Sequence, residues 1–287
     1  MMSLPKFLAN WTLNFVESFN YPNEGINIPV RKYIESLGNL AGKKVLDCPA
    51  GDGRATYLFR KKGAEVVSAD LYPEFFKLEG ACQYIDLADP LPFADAEFDF
   101  VICQEGIEHM QDQLGVFKEF HRVLKPQGTL FLTTPSLSHI RARLSQLLTE
   151  SDYWKRQAPS ELDSIWFSNK SDNRMYFGHI FLLTISKLRT LAVLSGFQIQ
   201  KRHRSELGTT SIFLLPIVGP IIFLTSLLSY WHSRIKFKYS KSRDRLRIAK
   251  EIYSLNASFQ TMICKDIIVE LKKGRTSHES FEYLKNL

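Results

Sequence analysis

From residue 43 onward, short apolar runs alternate with segments whose apolar positions recur every three to four residues. The first pattern reads as buried strands and the second as helices packed on them. Strands are expected over 44–47, 65–69, 82–85, 98–103 and 129–133. Between them lie a helix over 56–62, stopped at Gly63, and one over 114–124, ending before Lys125-Pro126-Gln127-Gly128. Farther on, 139–148 and 184–195 read as helices, 197–201 as a sixth strand and 261–270 as a seventh. Upstream, Leu4, Phe7, Leu8, Trp11, Phe15 and Phe19 fall at helical spacing over 4–19, and a short helical pattern over 29–37 stops at Gly38. The rhythm predicts an α/β fold. It is a Rossmann-like, doubly wound, seven-stranded and mostly parallel sheet, with its ligand at the strand C-terminal ends. Over 150–178 the pattern loosens into polar sequence with interspersed aromatics (Tyr153, Trp154, Trp166, Phe167, Tyr176, Phe177). Long irregular stretches of this kind usually carry function.

One segment departs from the rhythm. Residues 211–230 are uncharged and about 20 residues long, the length of one bilayer span. Pro216, Gly219 and Pro220 interrupt the middle of the run. If 261–270 is a strand of the same sheet, the chain must return to the side it left, which a single crossing does not allow. A broken, shallow hairpin in the cytoplasmic leaflet is therefore expected, with 234–250 as a basic interfacial collar. A soluble arm serving dimerisation or lid closure is one alternative. A true span with no seventh strand is the other.

Charge supports the interfacial reading. The net charge is +7, but residues 201–250 carry eleven Lys and Arg against only Glu206 and Asp244. A basic patch confined to one segment beside an apolar run points to anionic lipid more than to nucleic acid. The four cysteines (Cys48, Cys82, Cys103, Cys264) show neither metal-ligand spacing nor disulfide density, which suggests reduced thiols in a cytosolic setting. No secretory signal is read in residues 1–20, where Pro5, Lys6, Asn10, Asn14 and Glu17 break any apolar core. The chain is expected to divide into N-terminal helices (1–40), a ligand-binding domain (41–204 and 258–273), a hydrophobic and basic insertion (205–257) and a polar tail (274–287).

The chemistry centres on residues 45–54, a strand that breaks into a turn at Gly51 and Gly53 and runs into a helix. Glycines let backbone approach a ligand closely, and a helix N-terminus offers unpaired N–H groups. Asp47 ends this strand, and Asp70 ends the next, where an acid can accept both hydroxyls of a ribose. A Gly-x-Gly-x-x-Gly cradle for pyrophosphate is absent, because residue 56 is Thr.

Three further stretches follow in order: Tyr84-Ile85-Asp86-Leu87 through Phe93; Phe98 through Gln104-Glu105-Gly106-Ile107-Glu108-His109; and Phe120-His121-Arg122-Val123-Leu124 through Leu130. With the glycine turn, this series closely resembles the class I S-adenosylmethionine-dependent methyltransferases. It is most like the small-molecule group that includes ubiquinone-pathway O-methyltransferases. The resemblance covers about residues 42–135. It implies S-adenosylmethionine as cofactor, with Asp47, Gly51 and Gly53 under its methionine part. Asp70 would hold the ribose, Leu71 and Leu87 would pack on the adenine, Asp86 would meet the adenine edge, and Gln104 and Glu105 would line the pocket. Pro49 stands where the family commonly has its first glycine. The Gly178-His179-Ile180 element, with Thr134-Pro135-Ser136, is more loosely similar to bacterial methyltransferases associated with glycan or lipid modification.

For a hydroxyl acceptor, a base with a near-neutral pKa helps. His109 is the candidate, with Glu105 as its catalytic partner; a pocket or structural role is the alternative. Glu105 and Glu108 either orient His109 or hold a metal ion with it, and no metal site is assigned. His139 and His179 are secondary candidates, and Arg141 and Arg143 face either an anionic substrate or solvent. The expected acceptor is a small or lipid-linked molecule, met at the inner face of the membrane. A soluble acceptor with the apolar segment used for a homodimer is the rival, and a non-catalytic, membrane-tethered cofactor-binding protein is another. Nucleic acid is not expected, since Gln104-Glu105-Gly106-Ile107 stands where an Asn/Asp-Pro-Pro-Tyr motif would be.

Overall fold

The computed structural model describes residues 26–155, 158–162, 164–167, 174–239, 242 and 244–287. The helix expected over 4–19 lies outside these residues, as do Lys241 and Arg243 of the basic stretch.

Seven strands form the main sheet: β1 (Lys44–Asp47), β2 (Glu65–Asp70), β3 (Cys82–Tyr84), β4 (Phe98–Gln104), β5 (Leu124–Pro135), β8 (Phe197–His203) and β9 (Asp266–Lys273). Two short strands, β6 (Ile165–Phe167) and β7 (Met175–Phe177), pair antiparallel as a separate hairpin that the sequence pattern does not predict. The lateral order of the main sheet is β3-β2-β1-β4-β5-β9-β8. Strands β1 to β5 run parallel, while β9 pairs antiparallel with both β5 and β8. This is the Rossmann-like, mostly parallel sheet that the sequence predicts. Order reverses between β1 and β4, which opens a crevice at their C-terminal ends. Because Pro135 pairs with Asp266, antiparallel β9 starts at that same end.

The central strands are buried on both faces, as their apolar runs require. Leu46, Val101, Leu130 and Leu132 face α3 (Gln113–Val123) and α5 (Ile185–Leu194), meeting Phe117, Phe120 and Leu188. Val45, Ile102 and Phe131 face α1 (Asn27–Ser36) and α2 (Arg54–Lys61), where the Tyr33 ring stacks on Phe131 at 3.9 Å.

Two expectations need correction. The seventh strand starts at Asp266, not residue 261, because Ser258 caps a short helix, α8 (Phe259–Ile263), by accepting the Thr261 N–H. The apolar segment is not a broken hairpin. It is one uninterrupted helix, α6 (Thr209–Lys236), of 28 residues, about 42 Å long at 1.5 Å per residue. Pro216 and Pro220 are one helical turn apart, and both are exposed. The opposite face, through Ser211, Gly219, Ile222 and Ser226, is buried. There Leu214, Leu215, Val218 and Ile222 pack on Ile140 of α4 (Ile140–Thr149) and on Met262 and Ile263 of α8. Tertiary packing on one face thus holds a helix that its prolines would weaken. The chain then returns along α6 as α7 (Asp244–Asn256), with Tyr230 and Tyr253 stacked at 5.4 Å. The polar tail contains α9 (Ser277–Lys285), started by a capping box between Thr276 and Glu279.

Candidate active site

A cavity of about 1070 Å³ opens at the C-terminal ends of β1, β2 and β4. Of the residues expected from sequence, Asp70, Leu71, Asp86, Leu87, Glu105 and His109 line it. Asp47, Gly51, Gly53 and Gln104 do not. They lie beneath or beside it.

Asp47 is 1% exposed and accepts a 2.6 Å hydrogen bond from the Thr56 hydroxyl, which in turn meets Ser68 at 2.8 Å. Burial pushes its carboxyl up to about 7, against the opposing pull of Thr56. It therefore pins the start of α2 to the sheet. Gly51 and Gly53 both take positive φ, 52° and 93°. A Cβ on Gly53 would stand 2.8 Å from the Phe76 ring and 2.9 Å from Leu78, so glycine there serves both the turn and the close approach of the 76–78 segment. Gln104 ends β4 with its buried side-chain oxygen unpaired.

Asp70 ties the turn to β2. One of its oxygens accepts the Gly51 N–H at 2.8 Å and the other the Tyr72 N–H at 2.9 Å. Asp86 accepts the Ala88 N–H at 2.8 Å, which fixes the turn after β3. Arg174, just before β7, donates to Asp86 at 3.0 Å and to Asp89 at 2.6 Å, linking the hairpin to this rim. Tyr176 and Phe177 belong to the aromatic stretch marked from sequence, whereas Arg174 and the lining residue Met175 are not predicted. The stretch has no periodicity, so no local signal places Arg174 and Met175 on the cavity.

The other end of the cavity is built on the β4 and β5 tips. Glu105 sits at positive φ (48°), and its carboxylate accepts from the Thr133 hydroxyl at 2.9 Å. Glu108 is fully buried, and one of its oxygens accepts from the Thr134 hydroxyl at 3.0 Å. Burial pushes both carboxyls up, Glu105 further through the charge of Glu108 and Glu108 through that of Asp266, and the threonine bonds pull them back. Asp266, at the start of β9, is likewise pushed up by burial, to about 6. His109 binds the Phe177 carbonyl through Nδ1 at 2.7 Å, and its ring lies 5.1 Å from that of His179. Gln113 reinforces the same join, donating to the carbonyls of Ile107 and Phe181. The 177–181 segment is thus laced to the turn after β4.

The remaining sequence candidates lie elsewhere. His139 is 2% exposed and accepts the Ala142 N–H as the cap of α4, and burial lowers its pKa to about 4. Arg143 donates to Ser138 and Asn256. Arg141 stacks on Tyr153.

Residues 46–132 match the protein-family model described as a methyltransferase domain. The chain is similar to the ubiquinone biosynthesis O-methyltransferase of Xanthomonas campestris pv. campestris, with 34% identity over 145 residues, 46% of this chain and 59% of that protein. Its counterpart in Pseudomonas syringae pv. tomato is 35% identical over 132 residues, 41% of this chain and 55% of that one. The chain thus spans less than two thirds of the length of the curated relatives it matches. Among solved structures, an S-adenosylmethionine-dependent methyltransferase from Mesorhizobium loti superposes with a TM-score of 0.46 at 13% identity, covering 85% of this chain and 96% of that chain.

Proposed function

We propose that this chain, which carries a class I S-adenosylmethionine-dependent methyltransferase domain, moves the methyl group of S-adenosylmethionine to a hydroxyl oxygen of a small, membrane-borne acceptor. One observation carries the reading. A single cavity has the carboxylates Asp70 and Asp86 along one wall and the pair Glu105 and His109 at its other end. In this reading Asp70 holds the ribose hydroxyls, Asp86 meets the adenine edge, and Leu71 and Leu87 cover the ring. Gly51 and Gly53 shape the backbone under the methionine part, Asp47 supports that turn from below, and Gln104 stands beside it. Transfer is an in-line displacement. The acceptor oxygen bonds to the methyl carbon as the carbon–sulfur bond breaks, leaving a neutral thioether. The sulfonium brings the reactivity, and the protein supplies alignment and exclusion of water.

His109 receives the hydroxyl proton. Its Nδ1 bonds to a carbonyl oxygen, so in the neutral ring the proton is on Nδ1 and the lone pair on Nε2. Glu105 lines the cavity with it. The O-methyltransferase names of the relatives support oxygen as the target.

The membrane reading rests on α6. Phe213 is 80% and Ile217 68% exposed, and Leu224, Leu228 and Trp231 also face outward, followed by Arg234 and Lys236. One face packed on the domain and one left apolar supports a helix lying in the interface over one crossing it. Residues 41–204 and 258–273 then form the catalytic unit and 205–257 its membrane-seated insertion, on the cytoplasmic side. Pairing of this face in a homodimer is the second reading. The four unpaired cysteines accord with a reducing compartment.

Calorimetry with S-adenosylmethionine tests the assignment. Saturable binding to the wild type, weakened at least about tenfold in Asp70→Ala, is expected. Absent heat, or equal affinity in the variant, would overturn it.

A further inference from the structure

We infer that Arg174 gates the adenine end of the cavity and sharpens its choice of base. Its guanidinium and the adenine amino group compete for Asp86, and Asp89 is the seat to which Arg174 withdraws when adenine wins. The inference rests on the proposed assignment of Asp86 to the adenine edge.

The first observation is that both Asp86 oxygens are engaged. Oδ1 accepts the Ala88 N–H at 2.8 Å, and Oδ2 accepts from Arg174 at 3.0 Å. The carboxylate is left only 5% exposed on the cavity wall. The Ala88 bond is internal to the turn after β3 and stays with it. Arg174 comes from outside that turn, so it is the donor that can leave.

The second observation is where it can go. Asp89 stands on the same turn, with its N–H bonded to the Asp86 carbonyl. Its carboxylate already accepts from the same Arg174 nitrogen, Nη1, at 2.6 Å. The guanidinium can therefore pass from one carboxylate to the other without losing an ionic partner. The exchange costs little, because the Arg174 and Asp89 side chains are 44% and 50% exposed, and solvent-screened ion pairs are weak. The arginine side chain alone carries the change. The backbone beyond it is held, with the Phe177 carbonyl on His109 and that of Phe181 accepting from Gln113.

The exchange also has a chemical condition. A nearly buried carboxylate oxygen is costly without a donor. Adenine supplies an N–H as Arg174 leaves. A base that brings no donor leaves Asp86 uncompensated, and Arg174 then keeps its place. The pair of aspartates thus lets an amino-bearing purine in and resists others.

Calorimetry of the full chain with S-adenosylhomocysteine tests the gate. Arg174→Ala removes the competitor and should bind about three- to tenfold more tightly than wild type, with Arg174→Lys between the two. Asp89→Asn takes away the second seat and should bind more weakly by a similar factor. In the Arg174→Ala background the same Asp89→Asn change should have no effect. A gain in affinity does not arise from a poorly folded variant, and a purely structural role for Arg174 predicts a loss. Equal or weaker binding by Arg174→Ala, or an Asp89→Asn effect that persists in the double variant, overturns the inference while leaving the cofactor assignment intact. No saturable binding by any of the proteins overturns both.

Discussion

Gly106 lies directly against the ring of Pro49: a Cβ at residue 106 would stand 2.8 Å from the proline Cδ and 2.9 Å from Cγ. Proline and glycine therefore act as a pair, the bulk of one fitted into the space the other leaves. Gly106→Ala is expected to destabilise the protein by about 1–3 kcal/mol through overpacking. Pro49→Ala should recover part of that loss in the double variant. Urea melts of the four proteins in a double-mutant cycle measure the coupling.

Asp47 gives a pH-dependent expectation. Its folded-state pKa is raised to about 7, above the unfolded value. The folded state therefore holds the extra proton between about pH 4 and 7. Stability contributed by that proton is present below pH 4 and lost as pH rises through 7. Asp47→Asn keeps an acceptor for Thr56 and avoids that loss. It should match the wild type near pH 4 and exceed it by about 1–3 kcal/mol at pH 8. Melts at the two pH values decide this. An S-adenosylmethionine affinity unchanged in the variant would mark Asp47 as support for the turn.

Acid should weaken the fold through two histidines. Burial holds His121, bonded to the Arg275 carbonyl, and His139, the α4 cap, near pKa 4. Both values are below the unfolded 6.5, so the unfolded chain binds more protons in between. Stability present above pH 6.5 is lost as pH falls toward 4, by up to about 3 kcal/mol for each histidine. His139→Asn retains a cap for Ala142 and should shrink this acid sensitivity by about half. Denaturant midpoints from pH 7 to 4.5 would show it.

The exposed face of α6 predicts vesicle binding. Wild-type protein should float with phosphatidylglycerol vesicles, less so in high salt. A triple variant, Phe213→Glu, Ile217→Glu and Leu228→Glu, should stay soluble with little change in Tm, because these side chains face outward. Equal flotation of wild type and variant would rule out this face as the anchor. A dimer-to-monomer change by light scattering in its place would favour the homodimer reading.

Local sequence determined the strands and their turns, and the ordered motifs carried the resemblance to a methyltransferase domain. A buried parallel strand must be apolar along its length, and a tight glycine turn before a helix has few substitutes. Asp70 ends β2, Leu71 follows it, and Asp86 and Leu87 lie just past β3; the strand pattern marks these places, and the family resemblance implies their roles. The sequence also marked Glu105, His109 and His179 as candidates, but gave no distances between them. The tertiary structure alone decided that His179 meets His109, that Arg174 reaches Asp86 and that Gly106 accommodates Pro49. These contacts join residues far apart in the chain, and no periodic pattern encodes them. It also decided the form of residues 209–236. Local rules place a break at Pro216 and Pro220, yet packing of the opposite face on α4 and α8 keeps the helix whole. Proline's local penalty is a few kcal/mol, which a well-packed apolar face of several side chains can offset.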